Sequence, residues 1–520
     1  MIAALTLLLA GCYDPWGYTD PVRVLVPPGP IDAPAGAAKD APAKGARAQP
    51  AGRPPNVVFI VWDTVRADKL ALYGNPRDNT PRLSAFAKDA VVYDRAISPG
   101  VWTLPSHASM FTGLPVSAHG VGDRRKHLDD EFVTLAEVLK AGGYDTWAFS
   151  ANPFIGDATN MVQGFDKVEH PWTGKWKGRS EDLQKTRSID EASTRTKGED
   201  GSWNYRNVGR VAEWALLDHL SDRKGDRPFL AFINYMEAHA TRSPALPARA
   251  AVMDDAMSKR SLEIDQRTRK QHAWMVDAAT YDDAELEIVR RIYEASVFEL
   301  DHDTGALLDA LRAKGALDNT IVVLTADHGE TLGEHGLFGH QLGIWNALTR
   351  VPMVVWYPPG LEPARVADPT STAELYRIVL ELTGVDVPER GRPGLDTSRY
   401  AGGVVTEYTE PMRSTLKTLH DLAPTYDLTP WDQSWTAIER GPHKLLRGSR
   451  AGTQLYDVLA DRDEQRALSD GAVSVDLSQR LDAWYQTFTA FDFEGAKEVK
   501  GQIDEDPRKT SALRELGYVE

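Results

Sequence analysis

The chain has 520 residues, with 59 basic and 75 acidic side chains and a formal net charge of −16 at pH 7. This length allows one large domain with a smaller one attached, and the acidic balance argues against a nucleic-acid-binding surface. No run of about 18 apolar residues occurs, so the sequence predicts no membrane-spanning helix in the mature protein.

The first residues are typical of an exported, lipid-anchored protein. The apolar run from Ile2 leads into Leu9-Ala10-Gly11-Cys12, and Cys12 is the only cysteine in the chain. This order is similar to a bacterial lipoprotein signal, so we expect residues 1–12 to end at a lipidated Cys12 that holds an extracytoplasmic protein on a membrane, in the periplasm or at the cell surface. The alternative is an ordinary signal peptide, and no Lys or Arg precedes the apolar run.

Residues 13–53 predict a tether. They are rich in Pro, Ala and Gly and contain few apolar side chains that could pack into a core. Such a composition favours an extended, solvated segment between a lipid surface and a folded domain.

Four apolar runs predict buried strands. They are Val57 to Trp62, Phe229 to Tyr235, Ile321 to Thr325 and Met353 to Tyr357. Helical patterns lie between or before them, at Phe132 to Lys140, Val211 to Leu220 and Val289 to Lys314. This alternation predicts an α/β fold over residues 54–395, with a doubly wound, mostly parallel sheet sandwiched by helices.

Polar residues follow the first three runs. Asp63 ends the first, His239 comes shortly after the second, and Asp327 and His328 follow the third. Because ligands of such sheets bind beyond the carboxyl ends of the strands, these side chains are expected to share one site.

Two polar stretches, residues 170–206 and 245–285, interrupt the pattern. We interpret them as insertions near the mouth of the site that shape substrate choice, or as surface loops without a role. After residue 395 several short apolar segments predict antiparallel strands, and Asp476 to Phe491 predicts a helix. Residues 396–520 are therefore expected to form a small C-terminal subdomain.

The stretch from Val101 to Gly120, VWTLPSHASMFTGLPVSAHG, predicts a loop that runs into a helix. Pro105 suits the first helical turn, Ser106 is a predicted N-cap, and Gly113 is a predicted end. Thr103 would then lie just ahead of the helix, where free N–H groups favour an anion.

This stretch resembles the sulfatase signature of the alkaline-phosphatase-like superfamily, Cys/Ser-x-Pro-Ser-Arg followed by a short helix and Thr-Gly. The matching residues are Pro105, Ser106, Thr112 and Gly113. Thr103 stands where sulfatases carry the Cys or Ser that becomes formylglycine, and His107 replaces the Arg. Threonine cannot form that aldehyde, so Thr at this position resembles superfamily members in which an unmodified Thr attacks phosphorus. These are the nucleotide pyrophosphatase/phosphodiesterases, lipoteichoic acid synthases and phosphoethanolamine transferases.

The resemblance implies one divalent metal, held by Asp63, Asp327 and His328 with Thr103 completing the set. Sulfatases hold Ca²⁺ with Asp-Asp and Asp-Asn pairs, whereas here Thr64 and His328 replace the second member of each pair. Two carboxylates, an imidazole and a hydroxyl favour Zn²⁺ or Mn²⁺ over Ca²⁺ or Mg²⁺. Coordination would favour the alkoxide form of the Thr103 hydroxyl.

The resemblance also implies roles for residues around this metal. His340 falls where sulfatases have a Lys that binds the transferred group, and His239 where they have a His of similar duty, so both are predicted to stabilise charge or protonate the leaving oxygen. The predicted substrate-binding residues are Ser106, His107, Asn152 and His335. Arg66 and Asp68 are interpreted as a structural pair.

The sequence therefore predicts a sulfatase-like, metal-dependent hydrolase that cleaves phosphate mono- or diesters or phosphonates through a covalent Thr103 intermediate. Three alternatives remain open: a sulfatase without formylglycine, a phosphotransferase acting on lipid or glycan, and a non-catalytic lipoprotein that binds anionic glycans. The expected partners are an anionic ester, which is a small molecule, lipid or glycan, and a membrane reached through Cys12.

Overall fold

Residues 52–186, 207–386 and 402–496 are described by a computed structural model of the chain. The predicted signal with Cys12 and almost all of the predicted tether lie outside these residues. Within them, no helix combines the length and the apolar character needed to cross a bilayer.

Strands and helices follow one another through the described parts of the chain. The strands are β1 (Asn56–Trp62), β2 (Val91–Tyr93), β3 (Ala96–Ile97), β4 (Asp145–Ser150), β5 (Lys167–Glu169), β6 (Phe229–Tyr235), β7 (Thr320–Thr325), β8 (Thr331–Leu332), β9 (Phe338–Gly339), β10 (Arg350–Val351), β11 (Met353–Trp356), β12 (Ala364–Val366), β13 (Thr370–Ser371), β14 (Val404–Tyr408), β15 (Trp435–Arg440), β16 (His443–Gly448) and β17 (Gly452–Asp457). The α-helices are α1 (Pro81–Phe86), α2 (Thr103–Thr112), α3 (Val116–His119), α4 (Leu135–Ala141), α5 (Gly174–Thr186), α6 (Gly209–Asp222), α7 (Leu246–Val252), α8 (Asp255–Arg260), α9 (Thr268–Met275), α10 (Asp283–Ala313), α11 (Asn346–Thr349), α12 (Leu375–Thr383), α13 (Arg413–Leu422) and α14 (Gly471–Tyr485). Short 3-10 helices span Ala67–Lys69, Ala71–Tyr73, Ala87–Asp89, Asp157–Thr159, Glu334–Gly336 and Thr372–Glu374.

Eight strands form the central sheet, in the order β12-β2-β11-β7-β1-β6-β4-β5. All neighbouring pairs are parallel except those of β11, which is antiparallel to both β7 and β2. This confirms the predicted mostly parallel sheet with flanking helices. The run from Met353 is the strand that reverses, because no long crossover helix lies between β7 and β11 to bring the chain back parallel.

The register of the central strands brings their carboxyl ends to one level. In β1, Trp62 pairs with Tyr235 of β6, and Val61 pairs with Thr325 of β7. The N–H of Asp63 still donates to the carbonyl of Tyr235, over 3.0 Å. Residues just beyond β1 and β7 therefore lie side by side at this edge of the sheet.

Helix α2 begins earlier than the sequence predicted. Trp102 is extended, with φ −153° and ψ 172°, and Thr103 is the first helical residue. The predicted N-cap role of Ser106 is wrong, because Ser106 lies inside the helix and its N–H donates to the carbonyl of Trp102 over 3.3 Å. Gly113 ends the helix as predicted, in the left-handed region at φ 72°.

Both predicted insertions contain helices. The first includes α5, which buries Trp176, and its residues 187–206 lie outside the described part of the chain. The second forms α7, α8 and α9. Neither stretch is a plain surface loop over its described length.

The C-terminal segment forms the predicted small antiparallel sheet, in the order β14-β15-β16-β17. Helix α14 packs its buried Leu477, Leu481 and Trp484 against this sheet. It spans Gly471–Tyr485 rather than the predicted Asp476 to Phe491. The helix starts earlier because the side chain of Asp470 accepts hydrogen bonds from the N–H groups of Ala472 and Val473 and so forms its N-cap.

Candidate active site

Three buried side chains meet at the carboxyl ends of β1 and β7. Asp63, Asp327 and His328 each offer one ligand atom, and these atoms lie within 4.8 Å of one another. His328 Nε2 is 3.3 Å from Asp327 Oδ2 and 3.9 Å from Asp63 Oδ1. All three residues have 0% exposure. The structure thus brings together three of the four predicted ligands, from two strand ends.

The charges of this group fit a bound cation. Burial, followed by the neighbouring Asp63 carboxylate, raises the pKa of Asp327 well above its ordinary value. Asp327 Oδ2 accepts no hydrogen bond from the described residues. Two carboxylates forced together in a dry site repel each other unless a proton or a cation lies between them.

The ring of His328 completes this donor set. Burial and the neighbouring His340 lower the pKa of His328 well below its ordinary value, so its ring is neutral. Its Nδ1 lies 2.9 Å from the carbonyl of Gly329, which only accepts, so Nδ1 carries the proton and Nε2 keeps its lone pair. This is the arrangement of a metal-binding histidine held by a backbone carbonyl.

Thr103 lies beside the group at the start of α2. Its Oγ1 is 3.5 Å from His328 Nε2 and 3.3 Å from Asn152 Nδ2. Asn152 also donates to Asp63 Oδ2 over 2.7 Å, so its amide links the hydroxyl to the first carboxylate. Asn234 lies 3.5 Å from the same carboxylate oxygen. Asn234 was not predicted from the sequence, although a polar residue inside the apolar run of β6 was a signal for it.

The turn after β1 is strained at the site. Thr64 has φ 62°, an unusual value for a β-branched residue that costs about 1–2 kcal/mol. Its N–H donates to Asp327 Oδ1 over 3.2 Å, and its carbonyl accepts from Tyr293 Oη over 2.8 Å. These two bonds hold the turn that aims Asp63 at the cluster.

His107 lies one helical turn beyond Thr103. Its Nδ1 donates to the carbonyl of Thr103 over 2.9 Å and is 3.5 Å from Asp327 Oδ2. Burial lowers the pKa of His107 to about 4, and its ring packs edge-on against Phe111 and Phe232. The placement is that of a buried support beneath Thr103 and Asp327, where the sequence predicted a substrate contact.

His239 and His340 form a row of rings with His328. The ring centroids of His340 and His328 are 4.4 Å apart, and those of His340 and His239 are 5.0 Å apart. His239 Nδ1 lies 2.7 Å from the carbonyl of Ala240, and His340 Nδ1 lies 3.3 Å from Glu330 Oε1. Burial, followed by a nearby guanidinium, lowers the pKa of His340 to about 3. Both predicted catalytic histidines therefore border the group, and the Nδ1 atom of each is engaged.

Glu330 and Arg242 are residues of the site that the sequence analysis missed. The Arg242 guanidinium pairs with Glu330 Oε2, and both side chains are at most 2% exposed. Arg242 Nε donates to the carbonyl of Ala238 over 2.6 Å, and the guanidinium lies 4.9 Å from the ring centre of Tyr293. Glu330 stands in the Asp-His-Gly-Glu run at 327–330, so its position in the motif was a usable signal, whereas nothing local pointed to Arg242.

Ser106 and His335 differ in where they lie. Ser106 Oγ is 3.0 Å from Ser98 Oγ, which donates to the carbonyl of Asp327. The ring of His335 instead stacks on Trp345, with centroids 4.3 Å apart. The structure thus brings Ser106 to the backbone of the cluster and does not bring His335 there.

Arg66 and Asp68 form the predicted structural pair. Arg66 Nε and Nη2 each lie 2.9 Å from a carboxylate oxygen of Asp68. Arg66 Nη1 also donates to Glu334 Oε1 over 2.8 Å and to the carbonyl of Glu330 over 3.0 Å. These bonds tie the loop after β1 to the loop that carries Glu330.

Known proteins of similar sequence and fold agree with this architecture. The family model described as Sulfatase matches residues 55–385. The ulvan-active sulfatase of Formosa agariphila is 26% identical over 441 residues, covering 82% of this chain and 80% of that protein. The phosphonate monoester hydrolase of Agrobacterium radiobacter superposes with a TM-score of 0.61 at 20% identity, covering 84% of this chain and 96% of that one. A protein solved in complex with its substrate D-glucosamine-2-N,6-O-disulfate superposes with a TM-score of 0.62 at 18% identity, covering 84% of this chain and 98% of that one.

Proposed function

The chain belongs to the sulfatase family of hydrolases that act on ester bonds, and we propose that it cleaves phosphate or phosphonate esters with Thr103 as the nucleophile. The observation that carries the proposal is the position of Thr103 Oγ1, 3.5 Å from His328 Nε2 and 3.3 Å from Asn152 Nδ2. Helix α2 begins at this residue, so the positive end of its dipole faces the same place and favours a bound anion.

A threonine nucleophile favours phosphorus over sulfur. The formylglycine aldehyde of sulfatases forms a hydrate with two hydroxyl groups. One of them carries the sulfate, and the other expels it when the carbonyl forms again. The Thr103 side chain has a single hydroxyl, so its covalent intermediate is released only by attack on the central atom. Water attacks phosphorus in such intermediates, and this supports phosphorus esters as the substrates of Thr103.

The residues present fit one divalent cation. Asp63, Asp327 and His328, with the hydroxyl of Thr103, would hold it, and this mixed oxygen and nitrogen set favours Zn²⁺ or Mn²⁺. When bound, such an ion lowers the pKa of the hydroxyl and neutralises charge on a non-bridging oxygen of the ester.

The reaction then has two halves. Thr103 Oγ attacks phosphorus in line, the bond from phosphorus to the leaving alcohol breaks, the hydroxyl proton of Thr103 leaves with that alcohol, and the phosphoryl group stays on Thr103. Water next attacks the same phosphorus, the bond to Thr103 Oγ breaks, and one proton of the water returns to Thr103 Oγ. Asn152 and the first turn of α2 orient the hydroxyl for both halves.

Sulfate ester hydrolysis is the second candidate, and the name of the Formosa agariphila relative favours it. A phosphotransferase would use the same first half and pass the group to an alcohol. The proposed setting for either reaction is outside the cytoplasm, with the chain attached to a membrane through Cys12.

The proposal is tested with metal-loaded protein and one leaving group on four esters. The substrates are the 4-nitrophenyl phosphate, phosphodiester, phosphonate and sulfate, each assayed with and without an acceptor alcohol. We expect a phosphorus ester to be the best substrate and Thr103→Ala to lose at least about 10³-fold in kcat/KM. Thr103→Ser, which keeps a hydroxyl, is the matched control and should retain measurable activity.

Two results would overturn this function. One is turnover of the sulfate with none of the three phosphorus esters. The other is wild-type turnover by Thr103→Ala. A need for the acceptor alcohol would instead identify a transferase.

A further inference from the structure

We propose that a cavity beside the C-terminal sheet binds one neutral sugar ring, at a place separate from the proposed reaction. The cavity has a volume of about 290 Å³, which suits a single ring rather than a larger ligand. The residues around it that matter for binding are Ser117, Gly120, Thr436, Tyr485, Phe491 and Phe493. None of them belongs to the group around Thr103, so this inference does not depend on the proposed function.

The polar side of the cavity is built where three elements meet. Helix α3 carries Ser117, strand β15 carries Thr436, and helix α14 ends at Tyr485. Glu407 of β14 pairs directly opposite Thr436 in the sheet and is only 3% exposed. Residues that pair across two strands point to the same face of a sheet, so one buried carboxylate lies beside these hydroxyl groups.

This carboxylate fixes the direction of each hydroxyl proton. Glu407 Oε1 accepts from Ser117 Oγ and, over 3.2 Å, from Tyr485 Oη. Thr436 Oγ1 lies 2.9 Å from Tyr485 Oη. Because the proton of Tyr485 points to Glu407, Thr436 must be the donor in this pair. All three hydroxyl groups have therefore used their protons within the protein, and they offer lone pairs to an occupant of the cavity.

The hydrogen bonds to Glu407 are those of an ionised carboxylate. Its Oε2 accepts from the N–H of Ser117 over 2.9 Å, in addition to the two bonds to Oε1. Burial raises the pKa of Glu407, and the bonds from Ser117 and Tyr485 act in the opposite direction. Binding is therefore best measured at pH 8, where ionisation of the carboxyl group is favoured.

Two phenylalanine rings form the apolar side of the cavity. The rings of Phe491 and Phe493 are 5.0 Å apart, centroid to centroid, and inclined at 77°. The N–H of Phe491 donates to the carbonyl of Ser117 over 2.8 Å, and a Cβ at Gly120 would lie 2.3 Å from Phe491 Cγ. The position of this ring thus depends on a glycine. The negative face of an aromatic ring packs against the C–H bonds of a sugar, whose hydrogens are slightly positive.

The charges near the cavity favour a neutral occupant. The guanidinium carbon of Arg124 is 4.5 Å from the ring centre of Phe493, and that of Arg125 is 5.4 Å from that of Phe491. These cations disfavour a second cation at the same rings, and the carboxylate of Glu407 disfavours an anion. A sugar is uncharged, donates several O–H groups to the lone pairs and turns an apolar face to the rings.

The test is sugar binding to the full chain at pH 8, measured by saturation-transfer NMR. The probes are D-glucose, D-galactose, D-mannose, D-xylose, L-rhamnose and L-fucose. We expect at least one of them to bind with a Kd of about 1–10 mM, as is typical of so small a ligand. The methyl glycoside of that sugar distinguishes two sources. Equal binding identifies a sugar residue within a glycan, and weaker binding identifies a free monosaccharide.

Two variants locate the sugar in this cavity. Phe493→Ala removes part of the apolar side, and Thr436→Val removes a hydroxyl at nearly constant volume; each should weaken binding at least about tenfold. Phe493 is 37% exposed, so its replacement should leave the fold and the turnover of 4-nitrophenyl esters unchanged. Thr453→Val is the matched control, since Thr453 is an exposed threonine on β17 of the same sheet. This control and Thr103→Ala should both bind the sugar as the wild type does.

Three results would overturn the inference. The first is no binding of any of the six sugars at concentrations up to about 50 mM, far above the expected Kd. The second is binding that neither Phe493→Ala nor Thr436→Val weakens, because the sugar would then lie elsewhere. The third is displacement of the sugar by tetramethylammonium, which would identify a cation site. Each of these results would leave the role proposed for Thr103 untouched.

Discussion

Two buried ionic groups of this molecule are built in opposite ways. Near the C-terminal sheet, Lys444 Nζ lies 2.8 Å from Glu464 Oε1 and 3.1 Å from Asn346 Oδ1, so the charges are neutralised within the chain. At the ends of β1 and β7, Asp63 and Asp327 instead face each other across a neutral imidazole. The first group holds elements together, whereas the second offers three ligand atoms that could hold a cation.

Asp327→Asn should abolish metal binding and turnover while it stabilises the metal-free protein. The amide keeps the acceptor for the N–H groups of Thr64 and His328 but removes one of the two like charges. We expect loss of the bound metal and a fall in turnover of at least about 10³-fold, with metal-free protein more stable than metal-free wild type. Metal content, kcat/KM and urea unfolding of the metal-free proteins measure these effects. A less stable metal-free variant would contradict the repulsion described here.

Glu464→Ala should have the opposite pattern. It leaves the Lys444 ammonium buried without its carboxylate, and breaking such a pair costs about 3–5 kcal/mol. Turnover per folded molecule should stay at the wild-type level, because neither residue approaches Thr103. Urea unfolding and active-site titration check the two parts, and an activity loss exceeding the loss of folded protein would refute the separation of the two groups.

Metal removal should lower the melting temperature by an amount that depends on pH, because Asp327 lies in the metal site. The folded pKa of Asp327 is raised, so its contribution to the stability of metal-free protein is present below the unfolded value near 3.8 and is lost as the pH rises through the folded value. A bound cation removes this penalty because it prefers the ionised carboxylate. The difference in melting temperature between loaded and stripped protein should therefore grow from pH 5 to pH 8. A constant difference would mean that Asp327 does not bear the repulsion.

The predicted ligands could be found in the sequence because they follow an abrupt change from apolar to polar residues. Asp63 and Asp327 stand directly beyond strands that are buried on both faces, and this pattern is local. Thr103 was identified through the surrounding motif rather than through periodicity. To predict that Asp63 and Asp327 meet, only their order in the chain and the rule that parallel strands end at the same edge of a sheet were needed.

Other features depended on contacts that no local pattern encodes. The start of α2 was missed because the extended backbone of Trp102, and not a capping side chain, sets it. The pairing of Glu330 with Arg242 joins segments far apart in the chain, and Glu330 also contacts His340, ten residues further on. The reversed direction of β11 depends on the length of the connection before it, which apolar periodicity does not report.

The most direct measurement is peptide mass spectrometry of metal-loaded protein quenched in acid during turnover of an aryl phosphorus ester. We expect a phosphoryl or phosphonyl group on the peptide that contains Thr103, and no such group in Thr103→Ala. Turnover of that ester with no modification of this peptide would contradict Thr103 as the attacking residue.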